Sequence, residues 1–328
     1  MDLEMAFGKF DPNIFNDKIN QQNSWWQISK EWVAYCKKLL TTADYQCIEH
    51  VSDGNAVFEK KFTTVSVDFA NIPKKNPTWQ ITDAICKLDK SNILQTSPTS
   101  FGYYYCDYKH ENTLPTKRFN CFIRRACPVR QSWFYFLIKL NLLEEGHISY
   151  WCENAEYANT AIQDRFDLFY QGTEIFKKEH LYAQKYIDLP YSNFDMPIEE
   201  AIIDSEKSIV IETSFDNSDW LLFTEKTFRA LQLPRPFLLF SNAGSIAYLR
   251  GLGFNVYDDV IDHSYDQYSN WIERQSKILQ QVQNPLQYNK ATLKEYAKRA
   301  EHNKSILLDL QHSSSRYMEE LWIKISKL

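Results

Sequence analysis

Four residues open the stretch with the most chemical potential: Thr224, Glu225, Lys226 and Thr227, at the head of a helical pattern carried by Phe228, Leu231 and Leu233. A helix start presents main-chain amides with no partner and the positive end of the helix dipole. A glutamate there can accept from ribose hydroxyls, and a lysine and a threonine can reach a diphosphate. Taken alone, the same residues read more readily as an N-cap, Thr224, followed by an acid that complements the dipole, Glu225. A second cluster is Arg124, Arg125 and Arg130, placed between a predicted strand and a predicted helix. Such a loop can bind an anion through bidentate guanidinium donors, or can carry surface charges paired with the chain's many acids. Asn242, Gly244 and Ser245 can offer backbone amides to a ligand or simply turn the chain. Asp53 and Asp107, each near a predicted strand end, are candidates for a general base, with ordinary loop aspartates as the alternative. Asp262, His263 and Asp266 read as capping and surface residues with a lesser claim on a sugar.

The elements that must position these groups are legible in the pattern. Pro234 and Pro236 stop the helix that Thr224 opens, because proline lacks the amide donor and clashes with the preceding turn. PFLLFS then reads as a short buried strand, residues 242–245 as a turn and 246–250 as a helix. Gly251 and Gly253 end that helix, and 254–257 reads as the next strand. Helix, strand, helix, strand is the order of a parallel α/β layer. Upstream, RFNCFI (118–123) reads as a strand, 133–140 as a helix closed by Gly146, and 148–151 as a strand. SIVIET (208–213) reads as a buried strand delivering Glu212 and Thr213, then the acidic loop 216–219. In the first half the pattern predicts a docked arm over 1–23, a helix over 24–40, strands over 45–51 and 62–69, a helix over 79–88 and a β-like run over 103–108. Residues 154–200 mix helical and loop patterns. Helices are expected over 265–283, 289–310 and 317–325.

Composition narrows the class. The chain has 328 residues, 44% hydrophobic and 24% charged, enough for two folded domains and too apolar for a disordered chain. The seven cysteines have no metal-type spacing and read as reduced, mostly buried thiols. No apolar run spans a bilayer and no signal peptide opens the sequence, so the expected location is the cytoplasm. A formal net charge of -5 gives no global attraction to nucleic acid, although the Lys60–Lys61 and Lys74–Lys75 pairs can line a local groove. Walker A, GxGxxG, HExxH and GxSxG patterns are absent. No D-x-D occurs, so no metal is expected, and a bound diphosphate must be neutralised by arginine, lysine and helix dipoles.

Two of these stretches carry a resemblance. Residues 212–254, ETSFDNSDWLLFTEKTFRALQLPRPFLLFSNAGSIAYLRGLGF, resemble the nucleotide-sugar signature of fucosyltransferase-like glycosyltransferases, above all a group common in bacteriophages, giant viruses and bacteria. Residues 118–150 are similar to the strand and arginine loop that open the same group's donor domain, departing from it at Ala126, Cys127 and Val129. The resemblance covers roughly 117–266. It implies a GT-B architecture: two Rossmann-like α/β domains facing across a cleft. The expected division is an acceptor-side domain at 1–115, a donor-binding domain at 116–284, and helices at 285–328 packing across both. It implies a nucleoside diphosphate sugar as co-substrate, no further cofactor and no required metal. Glu225 would hold the ribose; Lys226, Thr227, Arg124 and Arg130 would face the phosphates. Arg125, Thr213, Thr224, Asn242, Gly244 and Ser245 would complete the donor site. The acceptor is expected to be a glycan, lipid or protein, or a hydroxymethylated pyrimidine in phage DNA. The competing class is a module of the same shape that holds nucleotide or sugar without turnover, for which the altered RRACPVR loop is the best support.

Overall fold

The structure is a computed structural model that describes residues 46–51, 55–60, 63–68, 79–82, 85–86, 93–95, 105–106, 108, 113–123, 128–150, 191–192, 194–212, 214–215 and 220–325. The fold is mixed α/β, with a largely parallel sheet and flanking helices. Among the described residues no helix is long and apolar enough to cross a membrane.

The first sheet is formed by β1 (Gln46–Val51), β2 (Asn55–Lys60), β3 (Thr63–Asp68), β4 (Trp79–Thr82) and β6 (Ile93–Gln95), in the order β1-β2-β3-β4-β6. Its first three strands are antiparallel neighbours, and β3, β4 and β6 run parallel. The helix expected over 79–88 is instead β4 followed by β5 (Ile85–Cys86). WQIT alternates at period two and is too short to hold a helix without packing, so strand pairing with Val65–Asp68 decides it. The described members of the β-like run, Tyr105, Cys106 and Tyr108, are not in a strand.

The second sheet positions the candidate site. Its strands are β7 (Phe119–Ile123), β8 (Gly146–Tyr150), β9 (Tyr191–Ser192), β10 (Ser208–Ile211) and β12 (Phe237–Phe240), in the order β12-β10-β7-β8-β9. All neighbours are parallel except β8 and β9. SIVI and FLLF are buried along their whole length, as expected of strands covered on both faces. β11 (Trp220–Leu221) pairs antiparallel with β5.

The helices are α1 (Pro128–Lys139), α2 (Ile198–Ile203), α3 (Glu225–Gln232), α4 (Ser245–Gly251), α5 (Trp271–Val282) and α6 (Lys290–Ile325). The chain leaves β7 for β8 in one direction and β10 for β12 in the other, so right-handed crossovers place α1 and α3 on opposite faces. The contacts agree. Trp133 of α1 meets Phe240 edge-on at 5.3 Å. Ser132 of α1 accepts from Gln275 of α5 at 2.8 Å. On the other face Asn120 and Phe122 of β7 line a cleft with Lys226 and Arg229 of α3.

Three other expectations are corrected. The segment 254–257 is irregular, not a strand. Tyr257 adopts φ 66, which ends an extended run, and Asn303 of α6 supplies the partners a neighbouring strand would have given. Its Oδ1 accepts from Asn255 N at 2.7 Å and its Nδ2 donates to Asn255 O at 3.0 Å. The helix expected from 265 begins at Trp271, after a 3₁₀ turn over His263–Gln267. The two C-terminal helices are one, α6, of 36 residues.

Candidate functional site

In an open parallel sheet, the carboxyl ends of the strands on either side of the first strand form a crevice where the crossovers diverge. Here those strands are β7 and β10, paired as Asn120↔Ser208 and Cys121↔Ile209. β7 runs into α1, with Pro128 at its first position, where a proline's missing amide costs nothing. Arg130 lies in that first turn and is 7% exposed. β10 ends at Ile211 and Glu212 follows it, and bonds from Thr224 and Thr227 to Glu212 bring the start of α3 back to that edge. Two of the sequence motifs therefore start from the same edge of neighbouring strands.

Glu212 organises the start of α3. Its main-chain amide extends the ladder to Phe240 O at 2.9 Å, which fixes where its side chain begins. The carboxylate is fully buried and collects the polar groups of the following helix. Oε1 accepts from Thr224 N at 2.9 Å and from Thr227 Oγ1 at 2.5 Å. Oε2 accepts from Thr224 Oγ1 at 2.7 Å. Thr224 occupies the N-cap position with extended backbone, but its hydroxyl makes no cap bond because it is given to Glu212. The same hydroxyl accepts from Lys226 Nζ at 2.8 Å. The ammonium stands 3.4 Å from Glu225 and 3.6 Å from Glu212, with about a quarter of its side chain exposed (27%). Glu225 is half-exposed at the helix start. The amides of Glu225 and Lys226 open the helix, where no earlier helical carbonyl is in reach.

The turn after β12 joins this edge. Asn242 is buried and its Nδ2 donates to Ser214 Oγ, two residues past Glu212, at 2.9 Å. Ser245 Oγ donates to Asn242 O at 2.7 Å. Gly244 has φ 84, a conformation that suits glycine, and its amide donates to Asp266 O at 2.8 Å. The start of α4 is closed by a protein carboxylate: Ala247 N donates to Asp266 Oδ2 at 3.1 Å. Burial pushes the Asp266 carboxyl above its usual range, against the amides of Ala247 and Ile246, which pull it down. Asp262 caps as expected, accepting from Ser264 N at 2.9 Å. His263 and Asp266 are not surface residues: they are 8% and 7% exposed. His263 donates from Nε2 to Val256 O at 2.7 Å, which leaves Nδ1 to accept from the Tyr265 hydroxyl at 2.9 Å. Tyr265 Oη in turn accepts from Leu239 N of β12 at 3.0 Å, so a side chain completes a main-chain group of the edge strand.

The structure brings together Thr224, Glu225, Lys226, Thr227, Asn242, Gly244 and Ser245 around one sheet edge, with Arg130 in the helix leaving the adjacent strand. Asp53, Asp107, Arg124, Arg125 and Thr213 lie outside the described residues. The residue that sequence reasoning left off the site is Glu212. Its signal was available: a lone acid closing an apolar strand, twelve residues before a threonine-flanked helix start. Among the described residues no group of three or more His, Cys, Asp or Glu is placed to hold a metal ion. Comparison with protein-family models, curated proteins and solved structures found no match.

Proposed function

We propose that this chain is a glycosyltransferase of GT-B architecture that works in the cytoplasm. It takes a sugar from a nucleoside diphosphate donor and passes it to an acceptor hydroxyl. The observation that carries the reading is the start of α3. There a partly exposed ammonium stands in the first turn of a helix at the carboxyl edge of a parallel sheet, beside the strand that leads into Arg130, and a helix start supplies main-chain amides with no earlier helical carbonyl to meet. That edge is where open α/β sheets hold phosphorylated ligands, and a departing diphosphate needs preorganised positive charge. The resemblance of residues 118–150 and 212–254 to nucleotide-sugar enzymes points the same way.

In this reading Lys226 and the amides of α3 take the diphosphate, Glu225 takes the ribose, and Arg130 adds charge from α1. The arrangement binds and orients the donor so that charge developing on the leaving diphosphate meets donors already in place. Lys226→Ala and Arg130→Ala are each expected to weaken nucleoside diphosphate binding by about 1.5–3 kcal/mol, measured by calorimetry over guanosine, uridine, adenosine and cytidine diphosphates. Donor-sugar hydrolysis, followed over the matching nucleotide sugars, tests turnover. A wild-type chain that binds none of the four diphosphates sinks the reading; binding without hydrolysis or transfer makes the chain a holding module.

A further inference from the structure

We infer that Glu212 is a positioning residue for the phosphate-facing lysine, acting through the Thr224 hydroxyl. The inference rests on the reading that Lys226 meets a diphosphate. A lysine side chain is a flexible stem carrying a compact point charge, and at a helix start it has many rotamers. Here one is selected. The Thr224 hydroxyl donates its only proton to Glu212 Oε2 at 2.7 Å, so toward the lysine it can only accept, and Lys226 Nζ donates to it at 2.8 Å. The Glu212 carboxylate is itself immovable: its main chain is in the ladder to Phe240, and Oε1 is held by Thr224 N and Thr227 Oγ1. Orientation therefore passes from the sheet to a buried carboxylate, to a hydroxyl with one open role, to the ammonium.

Charge alone points the other way. A carboxylate 3.6 Å from the ammonium offsets some of the attraction a diphosphate would feel. A residue that served only as counter-charge would weaken the site, so the benefit of Glu212 to ligand binding is geometric. The arrangement also separates two threonines that sequence alone treats alike. Thr227 is fully buried with its hydroxyl committed to Glu212, so it supports the carboxylate rather than touching the ligand.

The test is a double-mutant cycle on the full chain, with guanosine and uridine diphosphates as probes by calorimetry and the free nucleosides as controls by ligand-observed NMR. Glu212→Gln should weaken the tighter diphosphate about tenfold and leave its nucleoside unchanged. In a Lys226→Met background the same substitution should have no further effect. Equal losses of Glu212→Gln in both backgrounds, or parallel losses for the nucleoside, would show a merely structural role and overturn the inference. If thermal melting shows Glu212→Gln unfolded, Thr224→Val replaces it in the cycle, with the same coupled loss expected and additivity overturning. A wild-type chain that binds neither diphosphate fails the functional reading itself; normal wild-type binding with no coupling fails only the role of Glu212.

Discussion

Two helices start at the same edge of the second sheet, and each start is met by a buried carboxylate in a different way. At α4 the carboxylate of Asp266 takes first-turn amides, those of Ile246 and Ala247. At α3 the carboxylate of Glu212 takes the N-cap amide and two hydroxyls instead of first-turn amides, and leaves Lys226 partly exposed. A helix start is therefore a potential anion site only until the protein fills it. The far ends differ too. The last turn of α4 closes on its own backbone, through Gly253 N to Arg250 O at 3.0 Å and Phe254 N to Leu249 O at 3.2 Å. The last turn of α3 is held from outside: Leu231 O accepts from Asn303 Nδ2 of α6 at 2.9 Å. The open helix is tethered at both ends, which is what a group that must stay put to meet a ligand requires.

The largest effect on stability is expected at that outer tether. Asn303 is fully buried and bonds Leu231 O, Asn255 O and Asn255 N. Asn303→Ala leaves three main-chain groups without partners and should cost about 2–3 kcal/mol in urea unfolding. A loss under half a kcal/mol would mean that α6 does not hold the end of α3.

A smaller effect separates the two carboxylates. Asp266→Ala should cost about 1–2 kcal/mol, the scale of a lost helix cap, without weakening diphosphate binding, because α4 is a closed start. Weakened binding would break the contrast between the two helices. The sign of its pH dependence follows from burial. The folded carboxyl titrates above its unfolded value of about 3.9, so between those two values the folded state holds more protons than the unfolded. Its contribution to stability is least favourable at neutral pH and grows as pH falls through the folded value. The non-titrating Asp266→Asn lacks that gain, so the stability difference between wild type and variant should shift toward wild type from pH 7 to pH 4.5. A constant difference would show that Asp266 is not desolvated.

What the sequence showed of this contrast divides along local and distant causes. FNCFI, SIVI and FLLF are apolar runs of strand length, and a parallel strand covered on both faces leaves no other pattern. The limits of α3 were equally plain, since Thr224 and Pro234 act on their own neighbours. The expected strand at 254–257 failed because its backbone partner is Asn303, 48 residues away. The expected break in α6 falls on the polar run QHSSSR, 311–316. Ser313 continues the helix by donating to Asp309 O at 2.9 Å, a bond within the helix that composition does not reveal. Of the site, the helix start and its lysine were legible from their own neighbours, while the buried carboxylate beneath them was marked only by its place after an apolar strand, because its three donors belong to a later segment.

The smallest effect belongs to the other end of α4, where Arg250 pairs with Asp258 through Nε at 3.0 Å and Nη2 at 2.6 Å. The pairing is bidentate and holds the Asp258 carboxyl below its ordinary range. Geometry that good at a buried position would be a strong tether, but both side chains are about half exposed (48% and 51%). Water screens the attraction and the two side chains give up rotamer freedom to make it. Arg250→Ala should therefore change stability by less than about 1 kcal/mol, and less again in 1 M salt, where the screening length falls to about 3 Å. A loss as large as that of Asn303→Ala would mean that α4 is also anchored at its far end, and the difference between the two helices would then lie in their starts alone.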